Sequence, residues 1–247
     1  SDSSDIAKVF AQTYANLTSS QKSAAEFIDI KTYQEQFPLE VDEENTSPLN
    51  VIITREELED TLMQFKNGSP GPDNIPGIFL TNLPDIAKDF LLFLYNRIWP
   101  QHVFPKLWTK AIIIPILKQD KNLNNTESYR PISLTCDMCK VLEKIVDSRL
   151  TWHLDKHNLI TSEQSGFRKQ RSTQDNIIDL ESEVHEAFIN KQKCIAIFFF
   201  IQWAYDTALR YQIINQLTSW NIKGKMIKLL NYLLFHLHFQ FGLILVM

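Results

Sequence analysis

Apolar positions along the chain fall mostly into helical spacing, broken by dense turn segments. Ile6 to Leu17 and Gln21 to Ile30 read as two short helices. A polar, acidic stretch from Asp42 to Pro48 reads as a loop or linker. Thr54 with Glu57 three residues on forms a capping-box pair, and Leu58, Leu62 and Phe65 continue its apolar face until Asn67-Gly68 stops it. Residues 69–76, Ser-Pro-Gly-Pro-Asp-Asn-Ile-Pro, are a concentrated turn. Further helices are expected over Leu83 to Trp99, Met138 to Asn158, Thr173 to Asn190 and near Thr207 to Trp220.

Two short runs read differently. Ala111 to Leu117 is β-branched and apolar, so it reads as a buried strand, and Pro115 places it at an edge or a bulge. Cys194 to Ile201 reads as a second, very apolar strand. The fold class is therefore α/β in the mixed α+β sense, richer in helix than in strand. Leu229 to Met247 lacks Lys, Arg, Asp and Glu, but Asn231, His236, His238 and Gln240 interrupt it. It falls short of the ~20 apolar residues a membrane span needs, and reads instead as a helix plus a core strand cut off from its partners.

Charge adds a division. Residues 1–60 hold 13 acidic and 4 basic side chains, a net of −9, while residues 61–247 hold 16 and 21, a net of +5. An acidic leader precedes a mildly basic body, which either attracts phosphate locally or carries ordinary surface charge. The overall charge of −4 argues against a generically basic nucleic-acid binder. Ser1 to Asp5 is polar and acidic, so no secretory signal opens the chain, and a first residue other than Met reads as an excerpt of a longer protein. Three cysteines are too few for a disulfide framework and fit a reducing, intracellular setting, cytoplasm or nucleus.

Candidate chemistry is sparse. Cys136 and Cys139 have zinc-like spacing, but no second Cys/His pair stands at ligand distance, so they read as buried helix cysteines. Arg168, Lys169 and Arg171 form a basic cluster beside Phe167 ahead of a helix. That cluster suits a nucleic-acid backbone, or else is a solvated loop; Phe167 itself reads as a core residue. Lys118 and Arg130 stand at the ends of expected strands, where an isolated Arg is by default a surface ion pair.

Four segments, in order, resemble the reverse transcriptases of non-LTR, jockey-like retrotransposons. They are Lys66 to Pro76 (KNGSPGPDNIP), Leu107 to Lys118 (LWTKAIIIPILK), Tyr129 to Leu134 (YRPISL) and Gln164 to Thr173 (QSGFRKQRST). The likeness runs from about Leu58 to Trp220. It implies the fingers and a partial palm of a right-hand polymerase over 58–247, with 1–57 as an acidic leader after another domain. It also implies RNA template and DNA primer as partners, no membrane and no small-molecule cofactor. By resemblance, Arg130 and Lys118 contact the triphosphate of an incoming nucleotide, Tyr205 packs under its sugar, and Arg168, Lys169 and Arg171 contact nucleic acid. The turn at 69–76 either holds a loop against the template or simply joins two helices.

The active family holds Mg²⁺ on carboxylates. One comes from a motif similar to residues 198–206, Phe-Phe-Phe-Ile-Gln-Trp-Ala-Tyr-Asp, and its metal-binding Asp falls at Phe200. A phenyl ring offers no oxygen donor. Asp206 fits a helix cap rather than a ligand. No downstream Asp-Asp hairpin follows, since Asp206 is the last acidic residue. The expectation is a catalytically inactive, truncated and incomplete palm sheet, with no catalytic residue, no metal ligand and no bound cofactor in this chain. The alternatives are a non-catalytic RNA- or DNA-binding module and a remnant without function.

Overall fold

The computed structural model describes residues 3–18, 25–36, 46–200, 208–236 and 241–242. They divide into two units, one of residues 1–150 with 206–247 and one of residues 151–205. The first contains α1 (Ser3–Thr18), α2 (Ala25–Gln36), α3 (Arg55–Met63), α4 (Gly77–Thr81), α5 (Asp85–Gln101), β1 (Ala111–Leu117) and β2 (Tyr129–Leu134). Helix α6 (Asp137–Lys156) belongs to it up to residue 150, and α8 (Arg210–Ser219), α9 (Gly224–His236) and β3 (Phe241–Gly242) complete it. The second contains α7 (Thr173–Ile189). The chain is thus helix-rich and mixed, with a small sheet of order β2-β1-β3.

Helix α3 starts where the capping pair places it. The Thr54 hydroxyl accepts from the Glu57 amide at 3.2 Å, and Glu57 Oε2 accepts from the Thr54 amide at 2.8 Å. The helix stops at Met63 rather than Phe65, with Gln64 as its C-cap. Helix α5 begins after Pro84, whose missing amide costs nothing at a helix start.

The core of this unit forms where α3, α5, α6 and α9 meet the segment 48–54. Leu49, Ile53, Leu58, Trp99, Ile145 and Met226 are all at least 98% buried. Asn96 of α5 satisfies both backbone groups of Ile53, accepting from its amide at 2.7 Å and donating to its carbonyl at 2.8 Å. Asn50 does the same kind of work for α9: its Oδ1 accepts from the Met226 amide at 2.9 Å.

At the centre lies Arg149, on the buried stripe of α6 and 8% exposed. Its Nε and a terminal nitrogen donate to the two oxygens of Glu57, at 2.6 and 2.7 Å. The remaining donors reach the carbonyls of Val51 at 2.7 Å, Ile52 at 2.9 Å and Leu49 at 3.3 Å. The guanidinium also stands 5.0 Å from the centre of the Trp99 ring. A buried charge is costly unless its donors are filled, and here the planar fork is.

The sheet is an antiparallel ladder, Ile112 opposite Leu134 through Leu117 opposite Tyr129, with β3 pairing in parallel at Ala111 and Ile112. Pro115 faces Pro131, beyond the short reach of β3, where the missing amides break no ladder bond to a third strand. Phe10 and Tyr14 of α1 pack with Ala111, Ile113 and Tyr129, so the leader helix covers one face of the hairpin.

The second unit differs from expectation. Of the strand expected over Cys194 to Ile201, residues 194–200 form no strand and are exposed, and Ile201 lies outside the described residues. Phe167, expected in the core, is 97% exposed, because a left-handed backbone (φ 60°) turns it outward in the loop before α7. The loop meets α7 at Ser172, whose amide and hydroxyl both donate to the Asp175 carboxylate.

Arg149→Ala strands the Glu57 carboxylate and three carbonyl acceptors, and removing one partner of a buried pair costs about 3–5 kcal/mol. Urea denaturation followed by circular dichroism should show that loss. Burial raises the Glu57 carboxyl, but the Arg149 and Thr54 hydrogen bonds outweigh it and hold its pKa below the ordinary 4.5. A depressed carboxylate stabilises the fold above its unfolded value and loses that contribution as pH falls through the folded one. Stability should therefore drop below about pH 4.5 in the parent more steeply than in Glu57→Gln, measured by melts at graded pH.

Candidate nucleic-acid interface

The register of the hairpin places its two cations together. Opposite residues share a face, and faces alternate along each strand. Ile116 pairs with Arg130 and Ile114 with Ile132, while Lys118, just past β1, bonds its amide to the Ser128 carbonyl at 2.8 Å. Lys118 and Arg130 therefore lie on the same face, with Ile114, Ile116 and Ile132 between and beside them. It is the face opposite the one α1 covers. Arg130 is exposed, and Ile116 and Ile132 are 51% and 41% exposed. Lys118 Nζ donates to the Glu127 carbonyl at 2.8 Å, which holds its stem along the hairpin end.

The turn at 69–76 is anchored against the residues that follow β2. Gly71 is buried, and a Cβ there would stand 2.4 Å from the Cys136 amide nitrogen and from the Thr135 carbonyl carbon. Only glycine permits that approach. Asp73 Oδ1 accepts from the Ile75 amide at 3.2 Å, and Asn74 takes a left-handed backbone at φ 55°, which fixes the turn.

Cys139 lies in α6 and Cys136 one residue before it; both are buried. Burial pushes the Cys136 thiol up to about 11, with Asp73 beside it adding to the rise. Burial, then neighbouring Glu143, pushes Cys139 up as well. Both thiols act as hydrogen-bond donors, Cys136 to the Leu107 carbonyl at 3.4 Å and Cys139 to Glu143 at 3.2 Å.

In the second unit the basic cluster splits by role. Arg168 is tied down, donating to the Thr161 carbonyl at 2.9 Å with Asp155 at 3.6 Å. Lys169 and Arg171 are exposed. Tyr205, expected under a nucleotide sugar, and Asp206 lie outside the described residues.

The family's Mg²⁺ requires hard oxygen donors. Phe200, where the motif would supply one, is a phenyl ring 92% exposed, flanked by Phe198 and Phe199. Among the described residues no group of three His, Cys, Asp or Glu side chains is placed to hold a metal ion. The residues present at this position do not fit the ion.

A family model described as reverse transcriptase (RNA-dependent DNA polymerase) matches residues 116–243, more than half of the chain. The chain belongs to the reverse transcriptase family. This reverse transcriptase domain is 32% identical over 197 residues to a probable RNA-directed DNA polymerase from transposon BS of Drosophila melanogaster. That match covers 79% of the chain and 22% of the relative. It is 32% identical over 160 residues to the RNA-directed DNA polymerase from mobile element jockey of the same organism, covering 64% of the chain and 17% of the relative. An X-element polymerase is 30% identical over 159 residues. The domain is of the non-LTR retrotransposon type and spans about a fifth of the length of these relatives. No helix among its described residues is long and apolar enough to cross a membrane.

Sequence reasoning missed the Arg149 centre. The signal was present: Arg149 follows Val141, Leu142, Ile145 and Val146 at helical spacing, a charge on an apolar stripe. The close approach at Gly71 was readable only as a turn, because what it touches lies more than sixty positions away.

Gly71→Ala should cost about 1–3 kcal/mol, since the added methyl meets backbone rather than a movable side chain. A thermal melt against Gly68→Ala, whose Cβ meets nothing within 4 Å, checks this.

Proposed function

We propose that residues 58–247 form the fingers and part of the palm of a non-LTR reverse transcriptase, preceded by the acidic leader 1–57. In this reading the domain grips nucleic acid without polymerising. The observation that carries it is the shared open face of Lys118 and Arg130 on the hairpin. Two cations beside half-exposed isoleucines suit phosphates on one side and sugar or base edges on the other. A fixed guanidinium matches the geometry of a phosphate oxygen pair, which fits Arg130 to a nucleotide triphosphate or a strand backbone.

Lys169 and Arg171 supply a second basic element in the other unit. The partners are RNA template and DNA primer, and Tyr205 would pack against a sugar. Template-directed DNA synthesis is proposed for the relatives' architecture, not for this chain: at Phe200 the metal-binding position has no oxygen. Primer extension with Mg²⁺, RNA template and deoxynucleotides should therefore give no product, and any templated extension overturns the inactive reading.

Binding is tested by fluorescence anisotropy with a short RNA over a series of salt concentrations. Each phosphate contact on a single strand contributes about 0.7 to the slope of log affinity against log salt. Replacing Lys118 and Arg130 together by Ala should lower the slope by roughly 1.4. An affinity indifferent to salt, or a slope the double variant leaves unchanged, removes the proposal.

A further inference from the structure

The chain contains one Asn-Gly step, Asn67-Gly68, between α3 and the turn at 69–76. Both residues are exposed and lie in neither helix nor strand. A Cβ at Gly68 would meet nothing within 4 Å. Among the described residues, neither the Asn67 side chain nor the Gly68 amide has a hydrogen-bond partner. Asn74 and Asn82 nearby are exposed as well, but the amide that follows each is occupied. The Ile75 amide donates to Asp73 Oδ1 at 3.2 Å, and the Leu83 amide donates to the Leu80 carbonyl at 3.4 Å. Ile75 and Leu83 also carry side chains that crowd their own nitrogens, which glycine does not.

We propose that Asn67 is a site of spontaneous deamidation, and that the carboxylate it yields loosens the seat of the 69–76 turn. A free amide nitrogen one residue past an asparagine can close a five-membered ring on the side-chain carbonyl. The Gly68 nitrogen attacks Asn67 Cγ and gives up its proton. The N–Cγ bond forms, the Cγ–Nδ2 bond breaks, and ammonia leaves. Water then opens the imide at either carbonyl. The products are aspartate at 67 and its isomer, in which the main chain runs through the side-chain carbonyl. The new charge meets an unfavourable neighbour. A Cβ built at Gly77 would lie 3.2 Å from Asn67 Oδ1 and 3.2 Å from Asp137 Oδ2, so the two oxygens stand within twice that distance of each other. Asp137 is 1% exposed; its Oδ1 accepts from Lys140 at 2.8 Å, and its Oδ2 is buried without a hydrogen-bond partner. A neutral amide at 67 is tolerated there, whereas a carboxylate repels Asp137, and solvent screens a buried charge poorly. Asp137 opens α6 directly after Cys136, whose amide Gly71 approaches with no room for a Cβ. The isomer further lengthens the main chain by a methylene four residues before that contact.

The full chain is incubated in neutral buffer without nucleic acid and sampled over time for peptide mapping by mass spectrometry. Fragment ions should place the mass gain of amide-to-acid conversion at residue 67, in two isomeric forms, while Asn74 and Asn82 stay intact. Gly68→Ala should slow the conversion at least ~tenfold, because its methyl hinders the attack. That methyl points into open space, so the fresh variant should melt with the parent. Asn67→Asp carries the product charge from the start and should melt roughly 2–4 °C lower. An Asn67 that stays intact overturns the proposal, as does conversion spread equally over Asn74 and Asn82. So does a Gly68→Ala variant that converts at the parent's rate, or an Asn67→Asp variant that melts with the parent.

Discussion

One guanidinium organises the first unit. Arg149 reaches back about a hundred residues to three carbonyls and a carboxylate in the segment 49–57. Glu57 is shared between that guanidinium and the Thr54 amide, so the cap of α3 and the docking of α6 depend on one side chain. The expense of a buried ion forces the arrangement to be all or nothing: each donor must be met for the charge to be tolerated. Trp99 closes the guanidinium from the α5 side, and its indole nitrogen donates to the Asn50 carbonyl at 3.4 Å. Four helices are thereby referred to a single stretch of backbone with little regular structure of its own.

The consequences reach the hairpin. Only Thr135 and Cys136 separate β2 from α6, and the buried turn at Gly71 seats against that junction. With α6 fixed by Arg149 at one end of its buried stripe, the strand carrying Arg130 has little freedom at the other. Helix α1 then covers the face with Ala111 and Ile113, where Phe10 meets Tyr129 edge-on at 4.9 Å. The cations are left on the other face because alternation along a strand allows no third choice.

How much of this the sequence shows depends on range. The cap at Thr54, the strand at 111–117 and the helices from 83, 138 and 173 are local patterns, and they stand within a few residues of where periodicity places them. The four family segments were legible for the same reason. What was not legible depends on partners remote in sequence. Arg149 looked like any helix arginine until Glu57 and three carbonyls were set around it. Phe167 failed as a core residue because hydrophobicity says what a side chain prefers, while the backbone at φ 60° decides where it points. Residues 194–200 failed as a paired strand because a ladder needs a neighbour as well as a propensity, and propensity alone is what the sequence displays.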